Sequence, residues 1–273
     1  MLQARIITAV IVLCLFLAAL FYLSAVFWMV LLLALTAAGA WEWSRLARLS
    51  LNSSIIYLLF TIFLAGELLF VLGDAVLTNP YSTALEPLYF TSLAFWILYA
   101  PWFLKTKHRV GNPAVLALMG WLVLLPTSLA LYQLRAIDPL LLLGFMSAIW
   151  ISDIAAYFSG RAWGKHKLAP SISPGKTWEG AAGALAAVLV YALIWSNSSG
   201  NEALASLLVP LLLLLAVMGI IGDLFESLMK RQAGVKDSGN ILPGHGGILD
   251  RVDALTSTLP LAILSLLILQ SEL

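Results

Sequence analysis

Two stretches late in the chain hold most of the residue types that do chemistry. The first runs from Ser152-Asp153 through Ser159-Gly160-Arg161 and Gly164-Lys165-His166-Lys167 to Ser173-Pro174-Gly175-Lys176-Thr177-Trp178-Glu179. It is basic, broken by glycines and rich in hydroxyls. Ammonium groups neutralise phosphate oxygens, hydroxyls donate to them, and glycines let backbone amides approach, so Lys167, Ser173 and Lys176 suit a polyphosphate ligand. The glycine spacing of a P-loop is absent. The plainer alternative is a basic loop resting on lipid headgroups. Asp153, set inside the apolar run before this stretch, argues for more, because a carboxylate at that depth needs a partner. A metal ion or Arg161 could supply it.

The second stretch opens with Gly222-Asp223-Leu224-Phe225-Glu226-Ser227, passes Lys230-Arg231 and Lys236-Asp237, and closes with Leu242-Pro243-Gly244-His245-Gly246-Gly247-Ile248-Leu249-Asp250-Arg251-Val252-Asp253. On a helix Asp223, Glu226 and Lys230 share one face. Successive glycines, including Gly246 and Gly247, can form an amide-lined concavity for an anion. Asp250 and Asp253 follow within one helical turn of each other. Mg²⁺ binds carboxylates together with substrate phosphates and needs no complete protein cage. Asp223 and Asp250 are the leading metal ligands, and Asp153 and Asp253 are further candidates. His245 could hold a phosphate, act as an acid or serve the turn.

The rest of the chain must place these residues. Of 273 residues, 62% are hydrophobic and 11% charged, with a mean hydropathy of +0.97. Soluble domains carry about a quarter charged residues, so lipid is the main solvent. The lone cysteine, Cys14, excludes an intrachain disulfide and implies no zinc or redox chemistry. Arg5 followed by Ile6 to Leu23 has the outline of a signal peptide, but the length of the run marks it as a retained span. Nine apolar runs are long enough to cross: Ile6 to Leu23, Ala25 to Ala40, Ile55 to Gly73, Leu88 to Leu104, Ala114 to Leu134, Leu140 to Tyr157, Gly180 to Trp195, Ala203 to Phe225 and Ala254 to Leu269. The second and seventh are short, so eight is the alternative count.

With nine spans and a cytoplasmic N-terminus, every Lys and Arg falls inside except Arg135, as short-loop basic residues should. The expected fold is therefore an all-α, polytopic membrane helical bundle. Residues 1–135 form N-terminal spans, and 136–273 form C-terminal spans with cytoplasmic loops at about 159–179 and 229–253.

Both loops resemble those of the phosphatidate cytidylyltransferases, the CDP-diacylglycerol synthases. Ser227-Leu-Met-Lys-Arg, Lys236-Asp237 and His245-Gly-Gly-Ile-Leu-Asp250-Arg251-Val-Asp253 match that family's signature, and the 153–180 stretch looks like its second recurring segment. The resemblance covers the C-terminal half. It implies an enzyme that transfers CMP from CTP to phosphatidic acid, giving CDP-diacylglycerol and pyrophosphate, with Mg²⁺ required and a second cation, monovalent or divalent, allowed. It casts Asp223, Asp250, Lys230, Arg231, His245 and Arg251 as catalytic, and Lys167, Ser173, Lys176, Lys236, Asp237, Gly246 and Gly247 as substrate-binding. A bacterial inner membrane is the expected location and no nucleic acid is expected as a partner, while a homodimer is compatible with the sequence.

The chemistry agrees, since phosphatidate is already an anionic oxygen nucleophile and the site need only neutralise and align charge. The rivals are a CTP-using polyisoprenol kinase and, from another class, a secondary transporter with intramembrane acids. The transporter's intramembrane acids would be Glu67, Asp153 and Asp223; for Glu67, mid-span and on neither loop, interhelical hydrogen bonding is the simpler account.

Overall fold

The computed structural model describes residues 2–200, 202–241 and 246–271, with side chains from residue 10 onward apart from 203 and 271. Its described helices form nine rods, one for each apolar run. They are α1 (Leu2–Tyr22), α2 (Ala25–Leu46), α3 (Leu51–Thr78), a fourth rod made of α4 (Glu86–Ala94), a π turn (Phe95–Tyr99) and α5 (Ala100–Thr106), then α6 (Pro113–Ile137), α7 (Pro139–Trp163), α8 (Trp178–Ser198), α9 (Glu202–Ala233) and α10 (Leu249–Ser271). Eight rods are long and apolar enough to cross a membrane, and α1 adds a shorter apolar segment, Val10–Tyr22, among the described side chains. The two short runs gain length from polar ends: α2 and α8 span 22 and 21 residues. The protein is an integral membrane protein.

The ends of the rods sort as the basic residues do. At one end the Arg48 guanidinium donates to Gln232 O, Gln232 Nε2 donates to His108 O at 2.8 Å, and Arg231 Nε reaches Ile172 O at 3.4 Å. At the other, Gln133 Nε2 donates to Pro80 O and Ser82 O. Arg135, the basic residue that breaks the charge rule, donates to Leu20 O and Leu23 O and lies 4.9 Å over the Trp28 ring. A guanidinium there saturates carbonyls left open at the end of α1 and stacks on an aromatic face.

Helix α10 is the centre of the bundle, 72% buried along its span against 22% for α8. It packs on α9, α6 and α4, while α7, α8 and α9 form a consecutive layer beside it. Small residues close the α7–α8 contact: a side chain added at Gly160 would meet Thr177 Oγ1 at 3.0 Å.

One element departs from the all-α expectation. Between α7 and α8 the chain forms a two-stranded antiparallel hairpin, β1 (Lys167–Ala169) and β2 (Ser173–Thr177), with Lys167 opposite Thr177 and Ala169 opposite Ser173. Thr177 then turns the strand into α8, its Oγ1 accepting from Gly180 N at 3.1 Å as an N-cap does. The His166 amide donates to the Glu179 carboxylate, and the His166 ring lies 2.7 Å from Glu179 Oε1, closing the hairpin at its base.

Candidate active site

A cavity of about 450 Å³ opens between α7, the hairpin, α8 and α9. Asp153 and Ser152 line its depth from α7, Tyr157 and Arg161 its rim, Ser173 and Lys176 enter from β2, and Asp223 comes from α9. The two loops, separate in sequence, thus share one space. Lys176 Nζ lies 2.5 Å from Asp223 Oδ2, and the Asp153 carboxylate feels both Asp223 and Lys176 electrostatically. Arg161, a candidate partner for Asp153, instead donates to Tyr157 Oη at 3.1 Å.

Beside the cavity lies a more deeply buried cluster. Asp223, Glu226 and Lys230 do share a face of α9, since α9 stays helical to Ala233. Lys230 Nζ donates to Asp250 Oδ1 at 2.6 Å and stands 3.2 Å from Glu226 Oε1. Asp253 interacts electrostatically with Asp223, Asp153 and Lys230. Both Glu226 oxygens are buried without a hydrogen-bond donor, the Lys230 ammonium being near but out of line. Five carboxylates therefore meet two ammonium groups in this corner.

Such a surplus of oxygen donors fits a hard cation. Among the described residues, no three acidic, histidine or cysteine side chains come close enough to form a ready-made cage. Substrate phosphates would have to complete the shell.

The described residues of the second loop, 234–241 and 246–248, are organised differently from the anion-binding concavity the glycines suggest. The amides of Ser238, Gly247, Ile248 and Leu249 point at carboxylates of the protein itself, while those of Gly234 and Val235 close the end of α9 on Arg231 O and Lys230 O. Asp250 Oδ2 accepts from Ser238 N at 2.9 Å, Ser238 Oγ at 2.9 Å and Gly247 N at 2.8 Å. The amides of Ile248 and Leu249 donate to Glu42 Oε1 and Oε2, each at 2.9 Å. The physical reason is the start of α10, whose first N–H groups have no partner within the helix and attract negative charge. Asp250, expected as a metal ligand, has both oxygens engaged by protein donors.

The remaining candidates spread around this centre. Arg231 clamps the loops through Ile172 O and Val235 O. Arg251 opens α10, its amide donating to Ile248 O. Lys167, Lys236 and Asp237 are exposed, Gly246 is half-buried and Gly247 buried. His245 lies outside the described residues. Glu42, only 1% exposed, was not singled out by sequence reasoning: in the chain it is one acid between two tryptophans at the end of a span, and its partners come about 200 positions later. Glu67 is exposed on the outer face of α3, so interhelical hydrogen bonding within the chain does not account for it.

A family model described as the cytidylyltransferase family matches residues 3–269. The chain belongs to the cytidylyltransferase family. It is similar over 95% of its length to a phosphatidate cytidylyltransferase of Pseudomonas aeruginosa, at 40% identity over 95% of that protein. One of Haemophilus influenzae is 34% identical, with 95% and 96% of the two chains covered. A phosphatidate cytidylyltransferase of Bacillus subtilis is 50% identical over 41% of this chain and 42% of its own. Membership extends through the N-terminal half, where the sequence resemblance rested on apolar spans alone. It makes the chain a nucleotidyltransferase with a nucleotide and a lipid as substrates, and sets aside the kinase and transporter readings.

Proposed function

We propose that this chain transfers CMP from CTP to phosphatidic acid, releasing pyrophosphate and forming CDP-diacylglycerol in a bacterial cytoplasmic membrane. The observation that carries the reading is the cavity at the basic end of the bundle, where Asp153, Lys176 and Asp223 converge next to the buried Lys230–Asp250 pair. Its lining is largely small or apolar below the charged groups, with Ala156, Gly180, Ala181 and Ile220. CTP arrives from water at the loop side, and diacyl tails remain in lipid. A phosphatidate oxygen forms a bond to the α-phosphorus as the bond from that phosphorus to the bridging β-phosphate oxygen breaks. Pyrophosphate carries the displaced electron pair away.

No side-chain nucleophile is required. Two anions must be held together, and Lys176 and Lys230 place positive charge where phosphate oxygens would collect. Arg161 and Tyr157, at the rim, are positioned to receive the lipid phosphate. A Mg²⁺ ion would draw its protein ligands from Asp153, Asp223, Asp250 and Asp253, with substrate phosphates completing the shell. When bound it supplies charge neutralisation on the transferring phosphoryl group. A second cation and a homodimer belong to the same reading.

The test is incorporation of label from α-³²P-CTP into chloroform-extractable lipid by purified protein with phosphatidic acid and Mg²⁺. Label that depends on phosphatidic acid and disappears with chelator and in Asp223→Asn supports the reading. Label only from γ-³²P-CTP, or only with a lipid alcohol, overturns it.

A further inference from the structure

Glu42 sits on α2, in the half of the chain that carries no recognised motif, yet it is almost wholly enclosed by the second loop. Its two oxygens take the first free amides of α10, Ile248 N and Leu249 N. Oε2 is also 3.0 Å from Ser238 Oγ, and the same hydroxyl is 2.9 Å from Asp250 Oδ2. Two carboxylates thus share one hydroxyl. The arrangement holds both ends of the 234–248 segment and leaves Asp250 Oδ1 directed at Lys230 Nζ.

The glycines of the segment show how closely it is fitted to Glu42. A Cβ at Gly239 would stand 2.5 Å from Glu42 Oε1, and one at Gly247 would collide with Glu42 Oε1 and Ser238 Oγ. A buried carboxylate is costly unless amides and hydroxyls satisfy it. Here they do, and every donor belongs to the second loop or to the start of α10, the helix that carries Asp250.

We propose that Glu42 is a positioning residue for the nucleotidyl-transfer site, acting through Ser238 on Asp250 and through Asp250 on Lys230. The inference rests on the function proposed above for its kinetic consequence, but not for its structural one. Glu42→Gln keeps the shape while setting an NH₂ group against a backbone N–H. Ser238→Ala cuts the link and leaves the α10 amides on Glu42.

Full-length wild-type, Glu42→Gln, Ser238→Ala and the double variant, in detergent micelles, are compared in two assays. In the first, each single variant loses about 10²-fold in kcat, the scale of a small misplacement of a reacting group, with the KM for CTP within about twofold. The double variant is no worse than the more affected single one, because both act along one route. Unchanged kcat in Ser238→Ala, or losses that multiply, overturns the proposal, and this holds even if Glu42→Gln fails to fold. In the second assay, reductive methylation read by mass spectrometry, the 8%-exposed Lys230 gains reactivity in Ser238→Ala relative to the exposed Lys236. An unchanged ratio overturns the positioning. A wild type without transferase activity but with this gain overturns only the functional reading.

Discussion

Lys176 Nζ is 2.5 Å from Asp223 Oδ2, and this contact joins the base of the hairpin, at the α8 end of β2, to α9 across the cavity. Both side chains remain partly open, at 24% and 32%. A pair so exposed adds little to stability, about 0–1 kcal/mol. Its meaning lies in electrostatics at the point where substrate phosphates meet a carboxylate.

Lys176→Met is therefore expected to lower kcat by about 10²–10³-fold, the usual cost of losing one preorganised charge stabiliser, with a thermal midpoint close to wild type. Lipid labelling from α-³²P-CTP and a melt in detergent check both parts. Wild-type turnover in Lys176→Met would remove Lys176 from the chemistry.

Asp250→Asn should behave differently. Lys230 and Asp250 are 10% and 8% exposed as side chains, and breaking such a buried pair costs about 3–5 kcal/mol. Both activity and thermal midpoint should fall. Asp237→Asn, on the exposed part of the same segment, should stay within about 0.5 kcal/mol. Equal melts for the two variants would show that the buried pair carries no stability.

Close approach predicts a contrast among glycines. Gly247→Ala drives a methyl into Ser238 and Glu42, whereas Gly66→Ala and Gly175→Ala meet nothing within 4 Å. The first should lose about 1–3 kcal/mol, as overpacked sites do, and activity with it. The other two should keep their melting temperatures, and a Gly247→Ala protein that melts and turns over normally would contradict the described loop.

At the rim, Arg161→Gln removes the guanidinium that faces the cavity beside Tyr157. The KM for phosphatidic acid should rise about tenfold, matching loss of about 1.4 kcal/mol from a charged hydrogen bond, while the KM for CTP holds. Surface-dilution kinetics in mixed micelles separate the two constants. A change confined to CTP would reverse the assignment of the rim.

The bundle was legible because each span is a long apolar run and the basic residues mark its ends, down to the exception at Arg135. Asp223, Glu226 and Lys230 were legible through helical spacing. The hairpin at 167–177 was not, since its strands are three and five residues long and the second contains Pro174 and Gly175, which usually signal loop. Nor could spacing reveal where the amides of 247–249 point. Glycines announce an accessible backbone without saying what occupies it, and here Asp250 and Glu42 do.

Glu42 and Leu249 are 207 residues apart, which sets an order of events during synthesis. At about 5–20 residues per second, the α2 carboxylate waits roughly 10–40 s for the amides that will satisfy it. Until then it must stay hydrated at the edge of the bilayer, so α2 can settle to its final depth only after α10 has been made. A span made some 207 residues later thus completes the seating of the second.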